Sequence, residues 1–150
     1  MTRFSAIAVG FVAALVVAGC GGGKSSSETQ AQPTKAEFVR KAQRICTAAG
    51  RKLEAAGAAY FTTNAGGTEK TFIATKVKPI VENDLIAKID ALPTPSGDEA
   101  KINAVLDALR DGLATLRANP ESIKAPSGSP KDPFRKAGEA AKAYGLRCGG

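Results

Sequence analysis

Three cysteines and no histidine set the chemistry open to this chain of 150 residues. Histidine is the side chain best suited to proton transfer and metal binding near neutral pH, so its absence removes the commonest route to either. Zinc bound by two thiolates would need carboxylates to complete its ligands. Glu82 and Asp84 stand two apart; on a helix they diverge by about 200° and form no close acid–base pair. Asp107 and Asp111 are one turn apart, but the leucines between them put both on the solvent side. Serines gather in glycine- and proline-rich stretches, with no nucleophile elbow and no Ser-x-x-Lys opening a helix. GGGKSS at Gly21 to Ser26 lacks the preceding strand and the spacing of a phosphate-binding loop. No catalytic residue, metal or cofactor is therefore expected, and the chain is expected not to be an enzyme. What remains is thiol chemistry: acylation or a disulfide.

Cys20 has the context for acylation. Ahead of it stands MTRFSAIAVGFVAALVVAG, where Arg3 is the only charge and Phe4 to Ala18 is apolar apart from Ser5 and Gly10. The run is several residues short of the roughly 20 needed to cross a bilayer. A positive start, a short apolar middle and a small-residue exit have the form of a secretory signal peptide. VAGC at Val17 to Cys20 resembles the lipobox of bacterial lipoproteins: an aliphatic residue, two small ones, then the cysteine. The resemblance implies that the thiol takes up diacylglycerol, that residues 1–19 are cut away as a lipoprotein signal peptide, and that the new amine can accept a third chain such as palmitate. One acyl chain holds a protein only marginally to a bilayer, whereas two make a stable anchor. Cys20 is thus the expected lipid attachment site, residues 20–33 a glycine- and serine-rich tether, and membrane lipid the first partner. The expected location is the extracytoplasmic face of the cell membrane, lipid-anchored.

In that compartment disulfides persist, and Cys46 and Cys148 are left with a single connectivity. A bridge would close a loop of about 100 residues between the two ends of the domain. Two separate buried thiols are the alternative.

The elements that would position these groups read as helices. Thr34 and Glu37 have capping-box spacing. Phe38, Ala42, Ile45, Ala49, Leu53, Ala56 and Tyr60 then fall within about an 80° arc of a helix, with Cys46 on its flank. NAGG at Asn64 to Gly67 ends it. A second helix is predicted from about Thr68 to Leu92, through Ile73, Val77, Val81, Leu85 and Ile89, with Phe72 and Ile80 broadening the stripe. Pro79 inside it predicts a kink or a split. After the turn PTPSGDE, a third helix carries Ile102, Val105, Leu106, Leu109, Leu113 and Leu116. NPESIKAPSGSPKDP follows, long for a connection and without periodicity. Asp132 as a cap and Pro133 in the first turn introduce a short fourth helix through Phe134, Ala137, Ala141 and Tyr144, ended by Gly145. No strand is predicted. The expectation for residues 34–150 is all-α: a compact four-helix, up-down-up-down bundle with one disulfide.

The net charge is +7. Arg40, Arg44 and Arg51 fall within about 40° of one another on the first helix, opposite its apolar stripe. They are a candidate contact for anionic lipid or an anionic envelope polymer; an ordinary solvated face is the plainer reading. The charge is too modest, and reading motifs too absent, for a nucleic-acid partner. Tyr60, Phe134 and Tyr144 are candidate liners of an apolar groove.

FVRKAQRIC at Phe38 to Cys46 and AAKAYGLRCG at Ala140 to Gly149 resemble the cysteine-bearing ends of small, uncharacterised helical lipoproteins of high-GC Gram-positive bacteria. That resemblance implies the anchor, the helices and the disulfide, and carries over no activity. The function expected is a membrane-anchored helical interaction or structural module of the cell envelope, meeting an envelope protein or polymer. The alternative is a lipoprotein binding a small apolar or anionic ligand, with the proline-rich segment across an interhelical groove.

Overall fold

The first helix starts where a threonine and a glutamate exchange hydrogen bonds. In the computed structural model, which describes residues 32–63 and 67–148, Thr34 N–H donates to Glu37 Oε2 at 2.9 Å. Glu37 N–H returns a bond to Thr34 Oγ1 at 3.3 Å. The expected signal peptide at residues 1–19, Cys20 and nearly all of the expected tether at residues 20–33 lie outside the described residues. Helix α1 then runs Lys35–Thr63, about 43 Å at 1.5 Å per residue. Phe38, Ala42, Cys46, Ala49 and Tyr60 are buried along it, with Ile45, Leu53 and Ala56 half-buried beside them.

The second helix, α2, continues unbroken over residues 69–90 as four successive stretches, Glu69–Phe72, Ile73–Val77, Ile80–Ile86 and Ala87–Asp90. It does not split at Pro79. The stretches on either side of the proline are wound as wide π-turns, in which Lys78 N–H bonds to Ile73 C=O and Ala87 N–H to Glu82 C=O. In an ordinary α-turn the proline ring collides with the carbonyl four residues back and its missing N–H leaves a gap. A wider turn lets the chain pass without that collision, and Pro79 keeps helical angles of φ −59° and ψ −38°. The winding also explains a burial pattern that a regular helix would not. Ile73, Val77, Val81, Leu85 and Ile89 sit at a constant spacing of four, which drifts about 40° per step on an α-helix. All five are buried, and Ile86 joins them, because turns holding more residues keep the fours in line.

Helix α3 spans Glu99–Ala118 and α4 spans Arg135–Tyr144. All six predicted apolar positions of α3 are buried. Phe38 near the start of α1 meets Tyr144 at the end of α4 edge-on, ring centres 5.9 Å apart. Tyr144 also reaches Asp98, which precedes α3. At the other end, Tyr60 of α1 stacks on Phe72 near the start of α2, 4.4 Å between centres. The starts of α1 and α3 therefore share one end with the finish of α4, which is the up-down-up-down order. Where α4 begins, it crosses α3 over Gly112: a Cβ there would lie 2.6 Å from Phe134 Cδ1 and 2.8 Å from the Pro133 carbonyl oxygen. Asp132 holds the turn into α4, its Oδ1 accepting from Phe134 N–H at 2.8 Å and its Oδ2 from Gly128 N–H at 2.7 Å.

Candidate functional site

The sulfur chemistry of the domain is settled by a chain of contacts at the end of α4. Gly145 adopts φ 99°, a left-handed angle that only glycine takes without strain. The reversal lets Gly145 N–H bond Lys142 C=O and Leu146 N–H bond Ala141 C=O, at 3.0 and 2.8 Å, which is the Schellman pattern. Leu146 is buried by it. The next residue is caught by α1: Gln43 Oε1 accepts from Arg147 N–H at 2.8 Å, and Gln43 Nε2 donates to the Arg147 carbonyl. Cys148 then lies against Cys46, with 4.9 Å between Cα atoms and 102 residues between them in sequence, and the two are joined. Gln43 was not singled out from the sequence. Its polar side chain, one turn ahead of Cys46, was the available signal.

The same end holds the only buried charged side chain among the described residues, Asp98, 9% exposed. Its Oδ1 accepts from Lys101 Nζ at 2.9 Å and its Oδ2 from Tyr144 OH at 3.0 Å. Lys101 chiefly, with help from Tyr144, holds the Asp98 carboxyl below its ordinary range against the opposing effect of burial. Burial first, then the neighbouring Asp98, pushes the Tyr144 phenol up to about 12. Lys35 Nζ caps the ring face at 4.6 Å from its centre. The linkage has a definite sign. Tyr144 binds its proton more tightly folded than unfolded, so its contribution is complete below the ordinary value of 10.0 and is lost as pH rises to about 12. Asp98, shifted the other way, contributes above the ordinary carboxylate range and loses that contribution as pH falls. In an ultraviolet titration the phenolate step that vanishes in Tyr144→Phe is expected near pH 12. A step at 10 would contradict the buried contact.

Three of the four carboxylates weighed as acid–base candidates, Glu82, Asp84 and Asp107, are engaged in ion pairs. Asp84 bonds Lys52 of α1 at 2.7 Å and Lys88 at 2.6 Å, and these two lysines hold its carboxyl low. Glu82 pairs with Lys78 and Asp107 with Arg110. Among the described residues no group of three His, Cys, Asp or Glu side chains is placed to hold a metal. No described helix is long and apolar enough to cross a membrane.

An apolar groove of about 240 Å³ opens at the end of the bundle away from Lys35. Leu53, Gly57 and Phe61 of α1, Val77 of α2, and Ile123 and Phe134 form much of its wall. The proline-rich segment edges this groove. Its short 3₁₀ turn, Pro120–Lys124, is tied down by Lys124, which bonds Glu69 of α2 at 2.6 Å and Glu121 at 3.1 Å. Of the three predicted liners, Phe134 is present and two are corrected. Tyr60 is buried against Phe72, its OH donating to the Gly67 carbonyl at 3.3 Å. Tyr144 is buried at the opposite end, on Phe38 and Asp98. Both lie on the apolar stripes of their helices, and burial there claims them for the core. Phe61, one residue beyond the stripe, takes the place expected of Tyr60 and is 56% exposed.

Arg40, Arg44 and Arg51 are all exposed. None makes an ion pair among the described residues. They occupy roughly the stretch from 8 to 24 Å along α1, while Leu53 to Phe61 at the groove lie roughly 27 to 39 Å along it. Basic face and groove thus belong to different parts of the same rod. No family model matches the chain, no curated protein matches it, and no solved structure matches it.

Proposed function

We propose that the chain is a lipid-anchored helical module of the cell envelope, held at the extracytoplasmic face of the membrane through acylated Cys20 and acting through its surface on another envelope component. The lipobox-like VAGC after a short apolar run supports the anchor. The packing carries the rest of the reading. Side chains from all four helices fill the interior, and the buried acid is taken by Lys101 and Tyr144. Distinctive chemistry lies outside, in unpaired arginines and exposed Phe61. A second reading, a small apolar ligand, is favoured by the groove between α1 and the proline-rich segment. Its 240 Å³ falls below the range of about 300–1,000 Å³ usual for ligand pockets, which ranks it second.

The test is proximity crosslinking in cells of origin, read by mass spectrometry, with Cys20→Ser as the control. A reproducible envelope partner, lost together with lipid labelling in Cys20→Ser, is the expected result. Lipid labelling retained by Cys20→Ser would refute the anchor. No specific partner, with a small apolar molecule co-purifying, would move the function to the second reading.

A further inference from the structure

We infer that Arg147, carried to α1 by the C-terminal tail, joins Arg40, Arg44 and Arg51 in one contact surface for anionic lipid headgroups. The inference rests on the anchored reading and adds to it a second, electrostatic attachment. Gln43 holds the Arg147 peptide on both its N–H and its C=O, and the Cys46–Cys148 bond fixes the following residue. Gln43 directly precedes Arg44 and follows Arg40 by three, so the tail is laid along the margin of the arginine face. The Arg147 side chain is exposed, as are the other three. Like them it makes no ion pair among the described residues. Glu37, the acid closest in sequence to Arg40, is turned back onto Thr34. A charge from 104 residues away is thereby added to a face where Arg40 acts on Glu37 through its field and forms no ion pair with it.

Charge and position together select the occupant. Four exposed arginines without an ion pair among the described residues fit a negatively charged surface, and Arg40 and Arg44 lie in the half of α1 nearer the residues that lead back to Cys20. A glycine- and serine-rich tether of this length spans about 20 Å on average, enough for α1 to lie along the surface that holds the acyl chains. Each arginine at an anionic membrane strengthens binding by a factor of about five, an effect confined to the Debye length.

The experiment uses the full-length Cys20→Ser chain, so that no acyl anchor contributes. Its partition onto phosphatidylcholine vesicles is compared with that onto equimolar phosphatidylcholine and phosphatidylglycerol, at low and high salt. Uncharged contacts, including those of residues 1–19, act on both vesicle types, and the ratio of the two partitions isolates the charge. A ratio above one is expected, falling about fivefold in Arg44→Ser and again about fivefold in Arg147→Ser. High salt should suppress it and Arg147→Lys should preserve it. Arg117→Ser, near the finish of α3 at the opposite end, should leave it unchanged. An Arg147→Ser ratio equal to that of the parent would remove Arg147 from the surface and overturn the inference. Equal partition onto both vesicles, with retention on an immobilised soluble polyanion, would assign the arginines to a polymer and overturn it equally. Lipid labelling of Cys20 in cells, measured separately on the wild-type chain, reports whether the anchored reading itself has failed.

Discussion

Replacing Cys46 and Cys148 together by alanine is expected to lower the unfolding free energy by about 2–5 kcal/mol, which is the range for removing a native disulfide from a small domain. The bond closes a loop spanning 102 residues, nearly the whole described domain, so the unfolded chain gains most of its lost freedom when the link is cut. The folded side loses order as well. Leu146, the Gln43–Arg147 pair and the turn at Gly145 together hold the tail, and the covalent link fixes its end to α1. A drop of about 10–20 °C in the thermal midpoint follows for a domain of this size. Circular dichroism melting of the wild type with and without reductant, beside the double variant, measures it. Reduced wild type should match the variant, with the oxidised protein well above both. Midpoints that coincide in all three samples, or two cysteines open to alkylation without reductant, would show that the bond does not form.

How much of this was legible depended on how regular each element is. Ile102, Val105, Leu106, Leu109, Leu113 and Leu116 were read from α3 and are all buried, because twenty residues without an internal break let the 3.6-residue period decide alone. The pairing of Cys46 with Cys148 followed from there being one connectivity, and the structure joins them. In α2 the stripe was found but its winding was not. The constant spacing of four from Ile73 to Ile89 was the visible trace of wide turns, and Pro79 drew attention to breakage instead. Long-range polar contacts were out of reach for a different reason. Gln43 and Arg147, or Asp98 and Tyr144, are brought together by the return of α4, and neither pair leaves a periodic mark in its own helix. The groove was misplaced through the tyrosines. An amphipathic residue fits a core or a rim equally well by composition, and only the phase of the helix separates Tyr60 from Phe61.

Glycine supplies the second large effect, through a contrast in sign. Gly112→Val is expected to destabilise the domain by about 3 kcal/mol, at the upper end of the usual cost of overpacking a well-packed core. Gly57→Ala is expected to stabilise it by about 1 kcal/mol, the difference in helix propensity between the two residues. Both glycines sit within helices, so propensity alone predicts a gain at either. Around Gly57 a Cβ meets nothing within 4 Å, because the position faces the open groove. At Gly112 a Cβ would stand 2.8 Å from the Pro133 carbonyl, and backbone held by a proline and the Asp132 turn cannot swing aside as a side-chain tip can. The only relief is for α4 to retreat from α3, which uncovers Phe134 and loosens Ala137 and Ala141, both buried. Urea unfolding of the two variants reads the contrast directly. Stabilisation by Gly112→Val would mean that α4 does not cross α3 at this distance. Destabilisation by Gly57→Ala would mean that the groove is closed by something seated against α1.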